Sequence, residues 1–437
     1  MVFVNEGARW FARRNIRNAP MLHQPASRPV SGSRRATRLF GAPILALALF
    51  GVALLAAPSS AQAKSFQSFI EELWPAAHKR GVSRATFNAA FHGVTPDAKV
   101  MQSTRRQAEF TETTGAYLAR RVSDARIENG RAKAKEWERA LDAVERQIGV
   151  DRYVVLSIWG NETNFGGYLG GHNVIQALAT LTYNGYRADF FRKELINALV
   201  ILQQGHVKPQ DMAGSWAGAM GHTQFMPSSF NAYAIDFTGD GRRDIWTTIP
   251  DALGSTAFYL KKRGWRTGET WGYEVTVPRG FDLRQAKKMG KATLAQWSRH
   301  GIRRANGQGF PRPSDKAWLH LPAGANGPAF LMLPNFDVIK RYNNSNNYAL
   351  AVGHLADRIR GGDDFVHPFP VEQKALSEGQ RTELQTLLAS RGYPVGEIDG
   401  VIGMQTREAI HAYQASAGLP SDGHPSEDLI KHLQKRR

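Results

Sequence analysis

There is no cysteine in the 437 residues. That absence excludes a disulfide framework, a Cys-ligated zinc or iron–sulfur centre, a thiol nucleophile and a lipid-modified N-terminal cysteine. Internal repeats are lacking too, as are nucleic-acid motifs and basic runs longer than three residues. These absences argue against DNA or RNA as a partner. Long hydrophobic runs are scarce. The run Ile44 to Ala57 is short for a bilayer span and ends in Pro58-Ser59-Ser60 rather than in a charge cluster.

What is present suits a folded chain of two or three domains: 42% of residues are hydrophobic and 22% charged. The net charge of +18 is uneven. Residues 1–63 hold eight Arg against one Glu, and from Glu372 onward nine acidic residues face eight basic ones, so most of the excess lies in the middle. A basic body attracts polyanions. Arg34, Arg35 and Arg38 precede the apolar run and Ala61-Gln62-Ala63 follows it. This succession predicts a secretory signal over 1–63, cleaved after Ala63, with a membrane anchor as the alternative. The expectation is an exported protein that is not a lipoprotein.

The expected fold is mainly helical (α+β). Residues 64–362 form the body, 363–374 a Gly/Pro-rich linker and 375–437 a helical module. Trp137, Leu141, Val144 and Ile148 recur at helical spacing, and Gly149 is placed to stop that helix. Asp151 is placed to cap the next one, which carries Val154, Val155, Ile158 and Trp159. Between Trp271 and Asn335, short segments (Tyr273–Val277, Trp318–Leu321, Phe330–Leu333) alternate among Gly and Pro, predicting a small inserted β subdomain.

Glu162 lies four residues after Ile158 and seven after Val155, so a continuous helix projects it from the apolar stripe. Burial raises the pKa of a carboxyl, and an acid kept protonated near neutrality suits general-acid chemistry. The competing reading is a structural Glu paired with a local Arg or capping a loop. Downstream, Gly214-Ser215-Trp216-Ala217-Gly218-Ala219-Met220-Gly221 leads into His222-Thr223-Gln224-Phe225-Met226-Pro227. Small residues permit close backbone approach. Ser215 and Gln224 offer neutral hydrogen bonds and Trp216 and Phe225 flat apolar faces, a mixture that suits a sugar. The alternative is a Gly-rich turn with Phe225 and Met226 in the core.

With the block Leu331–Asn343 and the following Tyr348, these segments resemble the lytic murein transglycosylase B family (glycoside hydrolase family 103). The resemblance runs from about Ser65 to Arg360. It implies a lysozyme-like catalytic domain whose only catalytic acid/base is Glu162. It further implies that Ser215, Met220, Gln224, Tyr342, Asn343 and Tyr348, with Tyr117 and Tyr259 beside them, line a glycan cleft. His222 falls at a variable position and is expected to be a bystander. The implied reaction cleaves peptidoglycan strands between N-acetylmuramic acid and N-acetylglucosamine and closes a 1,6-anhydro ring, without water and without a cofactor. A hydrolase would need a second carboxylate, and Asp189, Glu194 and Asp211 are the candidates near in sequence.

Asp236-Phe237-Thr238-Gly239-Asp240-Gly241-Arg242 is similar to the start of a calcium-binding EF-hand loop, with ligand positions at Asp236, Thr238, Asp240 and Arg242. The family resemblance implies structural Ca2+ there. Thr238 and Thr247 depart from the pattern, and Asp251 is left to close a longer loop. In the metal-free alternative, Arg242 or Arg243 pairs with the aspartates. From Leu376 to Leu433 the sequence looks like a three-helix peptidoglycan-binding module, in which Asp399 and Gln414 are expected to be structural. Partners implied are peptidoglycan strands and cell-wall synthesis or division proteins. The chain is expected to be a monomer in the periplasm.

Overall fold

The helix Arg152–Thr163 forms because Asp151 caps it, its Oδ1 accepting the N–H groups of Tyr153 (2.9 Å) and Val154 (3.2 Å). It ends where Asn164 and Phe165 turn left-handed, with φ of 52° and 58°. Every residue from Val154 to Thr163 is buried. A helix without a polar face must be enclosed on all sides, and the helices Asp124–Glu136, Glu138–Ile148, Ile249–Lys262 and Asn346–Arg360 pack around it. As expected, Gly149 ends the preceding helix, at φ 76°. The structure, a computed structural model, describes residues 65–106, 112–371 and 374–435. The expected signal at 1–63 lies outside them. No helix among the described residues is long and apolar enough to cross a membrane.

Two close approaches let this centre pack tightly. A Cβ on Gly160 would sit 2.5 Å from the Phe165 ring, which folds back over the end of its own helix. A Cβ on Gly353, in the helix Asn346–Arg360, would sit 2.5 Å from the Trp271 indole. The indole Nε1–H of Trp271 donates to Asp357 Oδ2 at 2.9 Å on the same helix.

Seven short strands occur among the described residues. β1 (His172–Asn173) and β2 (Ala213–Gly214) form an antiparallel ribbon. The others are β3 (Gly272–Thr276), β4 (Ala292–Thr293), β5 (Arg303–Arg304), β6 (Lys316–His320) and β7 (Ala329–Met332). They make one antiparallel sheet in the order β4-β6-β7-β3-β5. β7 is buried on both faces, and its side chains alternate between two cores. Phe330 and Met332 join the helical body, while Ala329 and Leu331 join the subdomain's own core with Trp297 and Ile302. The sheet is thus welded to the body through its central strand.

The helices Glu378–Ala389, Met404–Ser416 and Glu427–Lys435 enclose a third core around Leu384, Leu388, Ile410, Tyr413 and Leu433. Asp399 and Gln414 are structural there, as expected. Asp399 accepts the Val401 N–H at 2.9 Å, and Gln414 joins Asp422 (2.7 Å) and the Gly423 N–H (2.8 Å). The predicted linker is strapped to the body. Phe365 stacks on His354 with centroids 3.7 Å apart, and the Glu274 carboxylate accepts the N–H groups of Val366 (2.7 Å) and His367 (2.8 Å).

The Gly353–Trp271 contact has a direct test. Gly353→Ala should cost about 1–3 kcal/mol, as overpacking of a filled core does, measured by denaturant unfolding of the whole chain. Unchanged stability would show that the indole moves freely.

Candidate active site

Glu162 occupies the last turn of the enclosed helix and is 9% exposed. Two other polar side chains of that turn are engaged, although Asn161 Oδ1 has no hydrogen-bond partner among the described residues. Asn161 Nδ2 donates to the Ser157 carbonyl (3.0 Å), and Thr163 Oγ1 donates to the His222 carbonyl (2.7 Å). The partner of Glu162 comes from far along the chain: the Tyr348 hydroxyl donates to its Oε1 at 2.7 Å. Tyr348 can reach because Ser345 caps its helix and presents the ring from the first turn. Burial pushes the Glu162 carboxyl up from 4.5 to about 7, against the opposing pull of the Tyr348 hydrogen bond and of Arg121. That places it where one group can both give and take a proton near neutrality.

Three tyrosines face this carboxyl, and all three are held neutral. Burial raises Tyr348 and Tyr342 well above the ordinary phenol range, with Glu162 adding to the effect. Tyr117 is also raised by burial, which Arg121 opposes. Tyr342 donates to the Thr223 carbonyl at 2.6 Å, tying the helix Pro334–Tyr342 to the Gly-rich loop. Tyr259 lies with its ring 4.9 Å from that of Tyr342, and Phe225 sits 5.8 Å from each. The Tyr259 hydroxyl is donated to the Arg341 carbonyl.

The loop 214–225 is a tight hairpin. Met220 and Phe225 exchange backbone bonds of 2.8 and 3.0 Å, and Ser215 N–H donates to the Ala219 carbonyl at 2.8 Å. Gln224 holds a left-handed φ of 54°, fixed by its own side chain, whose Nε2 donates to the carbonyls of Leu169 (2.9 Å) and Gly221 (3.0 Å). Ser215 Oγ accepts the Ala219 N–H at 3.0 Å. Asn343 follows Tyr342 directly and is half-buried, its carbonyl accepting from Ser345.

The structure differs from expectation at Met220. Its side chain is fully buried, so it supports the hairpin from beneath instead of presenting a surface, and its backbone bridges both Gly214 and Phe225. His222 is engaged within the fold. It accepts the Trp159 indole N–H at 3.1 Å, and burial lowers its pKa to about 4, so the ring stays neutral and braces the helix that bears Glu162. Arg121 escaped the sequence reading. It is 9% exposed and donates to the Asn161 carbonyl at 2.6 Å. Its spacing of four from Tyr117, which puts both on one helix face, was the available signal.

Of the three candidates for a second carboxylate, Asp189 and Asp211 are exposed. Glu194 is buried but fully engaged at the start of the helix Pro227–Tyr233, accepting the Ser228 N–H and hydroxyl, each at 2.8 Å.

In the acidic loop, ligand atoms of Asp236, Asp240 and Asp251 lie within 4.8 Å of one another. Asp251 is fully buried and accepts N–H groups from Phe237, Thr238 and Asp244. Thr238 donates its hydroxyl to Asp251, and the Arg242 N–H donates to Asp240. Thr247 turns away to bond Asp244, so Asp251 completes the cluster. Arg243 binds His206 and Gln204 rather than the aspartates. No Lys or Arg among the described residues makes an ion pair with the three carboxylates. Their clustered charge and oxygen-only donors fit a hard cation such as Ca2+.

The transglycosylase SLT domain family matches residues 65–357, and a peptidoglycan binding domain family matches residues 377–433. The membrane-bound lytic murein transglycosylase B of Escherichia coli (strain K12) is 34% identical over 254 residues, covering 56% of this chain and 68% of that protein. The crystal structure of SltB3 from Pseudomonas aeruginosa in complex with NAG-NAM-pentapeptide is 45% identical. It superimposes with a TM-score of 0.82 over 85% of this chain and 100% of its own. The Escherichia coli lytic transglycosylase Slt35 in complex with calcium is 30% identical, with a TM-score of 0.57, covering 69% of this chain and 94% of its own. The chain belongs to the lytic murein transglycosylase family defined by the transglycosylase SLT domain.

Proposed function

We propose that this chain is a peptidoglycan lytic transglycosylase that breaks the β-1,4 bond from N-acetylmuramic acid to N-acetylglucosamine without consuming water. The observation that carries the reading is one buried carboxyl faced by three tyrosines. Glu162 has its pKa near 7 and a tyrosine on one oxygen, and Arg121 is the charged side chain acting on it. A hydrolytic glycosidase needs a second carboxylate opposite the first, and Glu194, Asp189 and Asp211 are all committed or exposed.

In the proposed reaction, Glu162 in its neutral form protonates the glycosidic oxygen as that oxygen leaves the anomeric carbon. The acetamido oxygen of the same muramic acid stabilises the cation that forms. The Glu162 carboxylate then takes the proton of the 6-hydroxyl, whose oxygen attacks the anomeric carbon and closes the 1,6-anhydro ring. Glu162 ends protonated, ready for another cycle. Tyr348 holds the carboxyl in place through both steps. Tyr117, Tyr259, Tyr342, Asn343, Ser215 and Gln224 form the cleft that receives the strand, with Met220 beneath it.

Asp236, Asp240 and Asp251, with Thr238 and Arg242 in the same loop, would hold Ca2+ as a structural ion that neutralises the cluster and supplies no chemistry. The C-terminal module raises the local concentration of wall substrate by tethering. The enzyme is proposed to act as a monomer in the periplasm during cell-wall remodelling and turnover, alongside synthesis or division proteins. Support for the location is the basic, apolar and Ala61-Gln62-Ala63 succession.

Product analysis and one substitution test this reading. Residues 64–437 incubated with isolated peptidoglycan should release muropeptides one water lighter than reducing-end sugars, seen by mass spectrometry. Glu162→Gln should abolish release while the protein still pellets with the wall. Reducing-end products would establish hydrolysis, and no release from the native chain would favour a non-catalytic scaffold.

Activity should fall as pH rises through about 7, where Glu162 loses the proton it must donate. The same ionisation has a stability consequence. Between pH 4.5 and about 7 the folded chain binds a proton at Glu162 that the unfolded chain has released, so this residue's contribution to stability declines as pH rises. Glu162→Gln should therefore be more stable than the native chain at pH 8, by up to ~3 kcal/mol, in denaturant titrations. Equal stability at pH 8 would mean that Glu162 carries no raised pKa.

Millimolar Ca2+ should raise the melting temperature by about 2 °C or more, and Asp240→Ala should remove that rise. A calcium-independent melting curve would assign the loop to the metal-free alternative.

A further inference from the structure

We propose that Arg121 is a positioning residue for Glu162: its buried guanidinium, clamped to the last turn of the catalytic helix, supplies the positive charge that lets one carboxyl work first as acid and then as base. The inference rests on reading Glu162 as the sole acid/base.

Arg121 closes the helix Thr114–Arg121 and is 9% exposed. Its Nη1 donates to the Asn161 carbonyl at 2.6 Å, one residue before Glu162. Its guanidinium carbon lies 5.4 Å from the centroid of Tyr117, over the ring. Arg126 fixes the end of the same helix from the next one, donating to the Arg121 carbonyl at 3.2 Å and to Asn164 Oδ1 at 3.4 Å. The cation is therefore held between the helix bearing Tyr117 and the end of the helix bearing Glu162.

Desolvation alone favours the neutral acid and leaves it a strong base but a reluctant proton donor. The first step needs the opposite balance, a carboxylate stable enough to form when the leaving oxygen takes the proton. The titratable and charged groups facing Glu162 are Tyr117 and Arg121 on one helix, Tyr342 on the second and Tyr348 on the third. The three phenols are neutral at working pH, so of this set only Arg121 brings charge. It lowers the Glu162 pKa, second to the Tyr348 hydrogen bond among the opposing influences. Arg is suited to the place, because its planar head can bond a carbonyl and lie on a ring while staying charged in a buried site.

The test is direct titration of Glu162 in residues 64–437, using 13C-labelled glutamate with Glu162→Gln to assign the signal, alongside the pH profile of kcat. Arg121→Gln keeps a donor for the Asn161 carbonyl and deletes the charge. It should move the Glu162 midpoint and the basic limb of kcat upward together by about one pH unit, the low end of the effect of a nearby charge. Arg121→Lys keeps the charge and should leave both near their native positions. An Arg121→Gln midpoint that does not rise would reduce Arg121 to a structural clamp and overturn the proposal. Should that variant fail to fold, Arg121→Lys decides: a midpoint within half a unit of native supports the charge role, and one raised by about a unit or more overturns it. The titration needs no substrate, so it stands apart from the product analysis. If no muropeptide is released but the midpoint shifts, the activity fails and the electrostatic pairing stands.

Discussion

The structure depends on enclosing one ionisable carboxyl at the end of a helix that has no solvent face. Burying a carboxylate is costly unless it is paired, and the usual relief is to stay protonated. The fold uses that relief as chemistry. Val155, Ile158 and Trp159 require the helix to be surrounded, and surrounding it desolvates Glu162. The same packing therefore produces both the core and the acid.

Enclosure also explains the supporting features. Gly160 makes room for Phe165, so the helix can end in a sharp left-handed turn directly after the acid. Gly353 makes room for Trp271, so the helix carrying Tyr348 lies close enough for its hydroxyl to reach Glu162. The neutral His222 accepts the Trp159 indole proton and holds the other side. The β7 strand, buried on both faces, connects the inserted sheet to this centre through Phe330 and Met332. Each of these contacts limits the freedom of the turn that carries Glu162 and so keeps its carboxyl oriented.

Much of this was legible in the chain. The Asp151 cap, the Gly149 stop and the apolar spacing placed the catalytic helix, because caps and periodicity act through neighbours within a turn or two. The three β segments were found within about two residues of their ends, since alternation among Gly and Pro is also local. The acidic loop was legible for Asp236 and Asp240. The engagement of Glu194 by Ser228, the inward turn of Met220 and the strapping of the linker by Glu274 and His354 were not, because each joins residues tens of positions apart or depends on a hairpin's exact twist.

Glu162 itself divides along the same line. The sequence by itself determined that a carboxyl sits on an apolar helix next to a Gly-rich loop, because helix periodicity assigns a side chain to a face. Packing across the fold settles that this carboxyl is nearly buried, bonded by Tyr348 from 186 residues away and opposed by Arg121 from another helix. Those partners are separated along the chain by distances over which no local pattern operates. Their electrostatic effect arises only once packing has removed the water between them.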